Sequence, residues 1–156
     1  MRKRGSYKKN EVSGDWMHER IDMSRFVNYL MTNGKKSVAE KVFYDALDEV
    51  KNITKGNSVE IFEKAIMNAS PLLEVVSKRV GGANYQVPRE VRPERKFFLA
   101  SHWIIDTAKK KKGAPMAKRL AEELIAASKN EGAAIKKKQD MHRMAEANRA
   151  FASYVR

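Results

Sequence analysis

Apolar residues recur at helical spacing up to Pro71, at twofold spacing between Leu73 and Arg89, and at helical spacing again from Pro93 onward. Phe26, Val27, Leu30 and Met31 share one face of a first helix that begins near Ile21, and Asn33-Gly34 supplies a left-handed stop. Ser37 with Glu40 reads as a capping box for a second helix, whose inward side is Val38, Val42, Phe43, Ala46, Leu47 and Val50 as far as the Lys55-Gly56 break. Asn57 with Glu60 caps a third helix carrying Val59, Phe62, Ala65, Ile66 and Ala69, closed by Pro71. Pro93 suits the first turn of a fourth helix, through Phe97, Ala100, Trp103, Ile104 and Thr107 to the lysine run 109–112. Pro115 opens a fifth, with Met116, Leu120, Leu124 and Ala127, that runs to Gly132. Met141, Met144, Ala145, Asn148 and Phe151 mark a sixth, with both methionines read as core residues.

The interruption between Pro71 and Pro93 is a β-hairpin. Leu73, Val75 and Ser77 lie on one side of the first strand, Gly81-Gly82 makes the turn, and Tyr85, Val87 and Arg89 follow. Two strands alone are marginal in water, and Pro88 has no amide hydrogen for a second ladder, so the ribbon projects from the helices with both strands as edges. Eight residues from Leu73 to Val80 extend about 26 Å at roughly 3.3 Å each. The fold class is mainly α, one domain of about six helices with a protruding two-stranded β-hairpin between the third and fourth. Residues 1–20 form a basic arm and linker, and residues 21–156 a helical domain with its ribbon at about 72–91.

Charge decides what such a domain meets. The 156 residues hold 32 Lys+Arg against 19 Asp+Glu, a net +13 that attracts polyanions, nucleic acid before anionic membrane. Arg2, Lys3, Arg4, Lys8 and Lys9 fall in the first ten residues with no acid and no apolar periodicity, an extended arm. Lys78 and Arg79 flank the hairpin turn, Arg89 lies on the return strand, and Arg92, Arg95 and Lys96 sit where ribbon meets helix. The arginine fork matches phosphate oxygens or a guanine edge, and Tyr85 is placed to stack on an unpaired base. Surface charges are ordinary solvated groups when isolated. A projecting ribbon, a basic arm and the net charge together favour RNA binding.

Catalytic and metal chemistry find little support. There is no cysteine, hence no disulfide, thiolate metal site or cysteine nucleophile. His18, His102 and His142 lack metal-ligand spacing and read as surface or helix-packing residues. The string NGKKS at Asn33 to Ser37 lacks the upstream glycine of a phosphate loop. No cofactor is expected. No apolar run nears the roughly 18 residues that span a bilayer, so a soluble, intracellular protein is expected. Two rivals remain: an architectural DNA-binding protein whose ribbon enters a minor groove, and an RNA-processing enzyme.

The strings MTNGKKSVAEKVFYDAL, EVVSKRVGGANYQVPREVRPERK and MHRMAEANRAF resemble small-subunit ribosomal protein seven, of the bacterial or organellar type, over Phe26 to about Tyr154. The resemblance implies a structural protein, not an enzyme, that binds the 3′ major domain of small-subunit ribosomal RNA and nucleates assembly of the head. It implies a place near the exit-site transfer RNA and messenger RNA, with proteins nine and eleven as neighbours, in the cytoplasm or in an organelle's matrix or stroma. The RNA contacts it carries over are Arg2, Lys3, Arg4, Lys35, Lys36, Lys78 and Arg79, with Arg92, Arg95 and Lys96 at the basic helix start. The resemblance also implies that Gly81 and Gly82 lie toward the exit-site transfer RNA. Lys109 and Lys110, with Lys136, Lys137 and Arg143 of the last helix, complete the candidate RNA-binding set. GDWMHERIDM before the first helix, His102 before Trp103 and the terminal SYVR depart from the family pattern.

Overall fold

The computed structural model describes residues 12–155. Six α-helices and one hairpin follow in the order α1 (Ile21–Leu30), α2 (Lys36–Thr54), α3 (Ser58–Ala69), β1 (Leu73–Val80), β2 (Ala83–Glu90), α4 (Pro93–Lys110), α5 (Met116–Ser128) and α6 (Ala133–Ala147). A C-terminal 3-10 helix, Arg149–Val155, comes last. The core is helical. Phe26, Phe43 and Phe62, one from each of the first three helices, pack with ring centroids 5.2 to 5.6 Å apart. Ile104 and Ala108 of α4 and Leu120, Leu124 and Ala127 of α5 extend the same cluster. Burying such side chains contributes roughly 1.5–3 kcal/mol each, so this cluster holds the body together.

The helix starts are mixed. Asn57 accepts the Val59 amide at 3.1 Å and donates to Glu60 at 3.2 Å, an N-cap where the sequence placed one. Pro93 stands in the first turn of α4. The Ser37–Glu40 capping box is corrected: α2 begins at Lys36, with Lys35 at the cap position and no side-chain cap. The left-handed pair Asn33 and Gly34 turns the chain, and the Ala39 amide donates to the Lys35 carbonyl at 3.2 Å, so the helix has started before Ser37. Val38 is consequently 57% exposed, outside the stripe of Ala39, Phe43, Ala46, Leu47 and Val50. Likewise α1 ends at Leu30, ahead of Asn33-Gly34, and α5 ends at Ser128, ahead of Gly132.

A second correction concerns α6. Met144 is 48% exposed and Met141 only half-buried, so neither is a core residue. The inward stripe is Ile135, Lys138, His142 and Ala145, two of them polar, which an apolar pattern cannot reveal. Phe151 belongs to the 3-10 helix and sets its ring 5.1 Å from Tyr85 of the hairpin.

The hairpin register pairs Leu73 with Glu90 and Val80 with Ala83, leaving Gly81-Gly82 as a two-residue loop. Both glycines have positive φ, 58° and 90°, which a turn matched to strand twist requires. Directly paired residues share a face, so Tyr85, Val87 and Arg89 lie with Lys78, Val76 and Glu74, opposite Leu73, Val75 and Ser77. The Val91 amide donates to the Leu72 carbonyl at 3.1 Å, and alternation from that pair puts Val75–Pro88 at a non-hydrogen-bonded position. Pro88 therefore breaks nothing between the strands. The ribbon's root is covered: Glu74, Val87, Pro88 and Val91 are buried, whereas the turn residues 81–84 are exposed.

Candidate nucleic-acid interface

The hairpin is fixed at its root by a buried acid. Glu74 accepts from Arg89 across the strands at 2.6 Å and from Arg95 of α4 at 3.2 Å, with its side chain 7% exposed and the two arginines about half-exposed. Burial by itself raises the Glu74 carboxyl; the hydrogen bonds and charges of Arg89 and Arg95 outweigh it and hold the carboxyl below its usual range. One carboxylate facing two guanidiniums leaves a net positive charge at this junction. The Arg95 guanidinium also lies 4.9 Å from the Phe98 ring centroid, which limits its orientation. Arg89 and Arg95 are thus latch residues whose free edges still face solvent. The sequence reading missed Glu74, although a two-residue turn at Gly81-Gly82 fixes the Glu74–Arg89 pairing.

Toward the tip, Arg79 is exposed opposite Asn84, and Lys78 is half-buried opposite Tyr85. Tyr85 packs against Phe151, so a base-stacking role uses only the ring surface that Phe151 leaves open. Arg92 is exposed at the α4 cap position and Lys96 is half-buried one turn later. Lys35 and Lys36 are exposed at the start of α2, with Lys36 3.8 Å from Glu40. The arm candidates Arg2, Lys3, Arg4, Lys8 and Lys9 lie outside the described residues.

The fold collects other lysines from distant positions. Lys110, Lys111, Lys136 and Lys137 line a concavity of about 370 Å³ between the end of α4 and the start of α6. Lys137 is 3.8 Å from Asp106, while Lys111 turns inward to Glu123 at 3.1 Å. Glu123 is buried and accepts the Ala134 amide at 3.0 Å, satisfying one unpaired donor at the start of α6. Arg119 donates to the carbonyls of Lys109 and Lys111 and caps α4. The lysine run therefore has an anchor, Lys111, beside its exposed neighbours Lys109 and Lys110. Lys35 and Lys109 flank a smaller groove of about 190 Å³ with Val38 and Met116. Arg143 pairs with Asp140 on the exposed side of α6 at 2.6 Å. Lys138, which went unnoticed in sequence, donates to the Asn68 carbonyl at 2.7 Å, and His142, read as a surface or helix-packing residue, accepts the Leu72 amide at 3.0 Å.

The family model for ribosomal protein S7p/S5e matches residues 1–149. The chain belongs to that family. It is a ribosomal protein, structural and not an enzyme. Among its relatives, the small ribosomal subunit protein uS7 of Azotobacter vinelandii is 51% identical over 146 residues, 94% of each chain. Those of Francisella tularensis subsp. holarctica and Chloroflexus aurantiacus are each 48% identical, covering 99% or more of both chains. Family membership removes the two rivals, the DNA-bending protein and the RNA-processing enzyme. Among the described residues no helix is long and apolar enough to cross a membrane.

Proposed function

We propose that this family member is an RNA-binding structural component of the small ribosomal subunit whose helical body anchors on the 3′ major domain of the ribosomal RNA and whose hairpin reaches toward the exit-site transfer RNA and messenger RNA. In that role it nucleates assembly of the head beside proteins nine and eleven. The observation that carries the reading is the hairpin itself: an exposed turn with Arg79, set on a root locked to α4 through Glu74, in a chain of net charge +13. Phosphate contacts from Lys35, Lys36, Lys110 and Lys136 supply affinity without sequence, and RNA shape and unpaired bases supply selectivity. The body and the hairpin then have separate tasks. Protection mapping of a 3′ major domain fragment with the purified chain tests this. A compact protected region that forms on this fragment and not on the subunit's other domains supports it; uniform weak protection of all domains refutes it.

A further inference from the structure

The hairpin joins the body through two short connectors, residues 70–72 on entry and 91–92 on exit. Each is stiffened by a neighbouring proline, buried Pro71 in the first and Pro93 after the second. The Leu72 carbonyl closes the ladder with Val91, while its amide is taken from outside the ladder by Nε2 of His142 at 3.0 Å. One turn earlier on the same face of α6, Lys138 holds the Asn68 carbonyl at 2.7 Å, and the Asn68 side chain donates to the carbonyls of Ala127 and Ser128. A single stripe of α6 thus grips the end of α3 and the last residue of the entry connector. Between α6 and the hairpin lies a cavity of about 680 Å³ lined by Leu73, Pro88, His142, Ala145 and Ala152 among others. On this side the Tyr85–Phe151 contact lies toward the tip, and the His142–Leu72 hydrogen bond holds the base.

We propose that His142 is a positioning residue: by accepting the Leu72 amide it sets the angle at which the hairpin leaves the body, and with it where Arg79 and the Gly81-Gly82 turn meet RNA. The inference rests on the hairpin being an RNA contact. The leverage is large, because the turn stands about 26 Å from Leu72, so a tilt of about 10° at the root moves it about 4–5 Å, beyond hydrogen-bonding tolerance. Neutral His142 is the competent form. Burial and the nearby Lys138 charge hold its pKa below the ordinary histidine value, and the other charged groups around it are Arg89, Glu90, Glu146 and Arg149.

Because the chain has no cysteine, Ala83→Cys gives a unique attachment point for a cleaving iron chelate at the turn. The probe is a 3′ major domain RNA fragment bound by the full chain. In the His142→Leu background, directed cleavage should weaken several-fold and spread to neighbouring nucleotides while protections by the helices persist, and the Leu72 amide should exchange about three- to tenfold faster. His142→Gln, which keeps an acceptor, should restore both. Unchanged cleavage and exchange in His142→Leu would overturn the proposal. Directed cleavage that is absent already in the His142 protein, with helix protections intact, would instead overturn the hairpin's RNA contact. If His142→Leu does not fold, the Leu72 protection factor of the unaltered chain decides: it should fall as pH drops through the lowered pKa of His142, which lies below the ordinary histidine value of about 6.5, and a constant factor would refute the role.

Discussion

Replacing Glu74 by Gln removes the charge that Arg89 and Arg95 share while keeping the side chain's shape. Two charge-assisted hydrogen bonds are worth about 1.5–3 kcal/mol each before other terms are counted. Burial of the carboxylate opposes them, and the half-exposed guanidiniums are screened by water, so the net loss should be about 1–3 kcal/mol. The pH dependence gives the substitution its sign. The folded carboxyl lies below its unfolded value, so the unfolded chain binds more protons in the interval between them. The stabilisation is complete above the ordinary glutamate pKa of about 4.3 and disappears as pH falls through the lower folded value. Urea unfolding followed by circular dichroism, on both proteins from pH 7 down to pH 3, measures it. The gap between them should be full at pH 7 and close toward the acid end. An equal gap at both ends, or none at pH 7, would refute the latch.

Phe43→Ala removes the ring shared by the first three helices and should destabilise by about 3–5 kcal/mol, whereas Trp103→Ala, at a half-buried position, should lose less; thermal melts distinguish them. Gly132→Ala should destabilise by about 1–3 kcal/mol, since φ is 93° and the added Cβ meets Ala126 and Glu123 at 3.1 Å; a neutral melt would show that the Glu123 cap of α6 relaxes freely. Deleting residues 79–84 and closing the strands with a short turn should leave helical circular dichroism nearly intact, because the turn residues are exposed and the core is helical; loss of helix would contradict the division between body and ribbon.

Periodicity revealed the helices and the ribbon because burial of one helix face and one strand pattern is written directly into residue spacing. Phe26, Phe43 and Phe62 were visible for that reason. Register was also legible, since two adjacent glycines at a twofold pattern fix both strands. What escaped were groups whose role depends on residues far away in sequence: Glu74 meeting Arg95, Lys111 meeting Glu123, and His142 meeting Leu72. The inward face of α6 escaped because lysine and histidine occupy it, and a pattern of apolar residues assigned Met144 in their place. The cap of α2 escaped because Asn33 and Gly34 launch the helix before the side chain of Ser37 can cap it.

The most direct test of the account is affinity for the 3′ major domain fragment against an unrelated folded RNA of equal length, measured across a salt series with the intact chain. Affinity for both should fall as salt rises, by about 0.7 in log–log slope per single-stranded phosphate contact, while the preference for the 3′ major domain persists. Equal affinity for the two RNAs at every salt concentration would contradict the account, because it would leave only the net charge and no recognition by the folded surface.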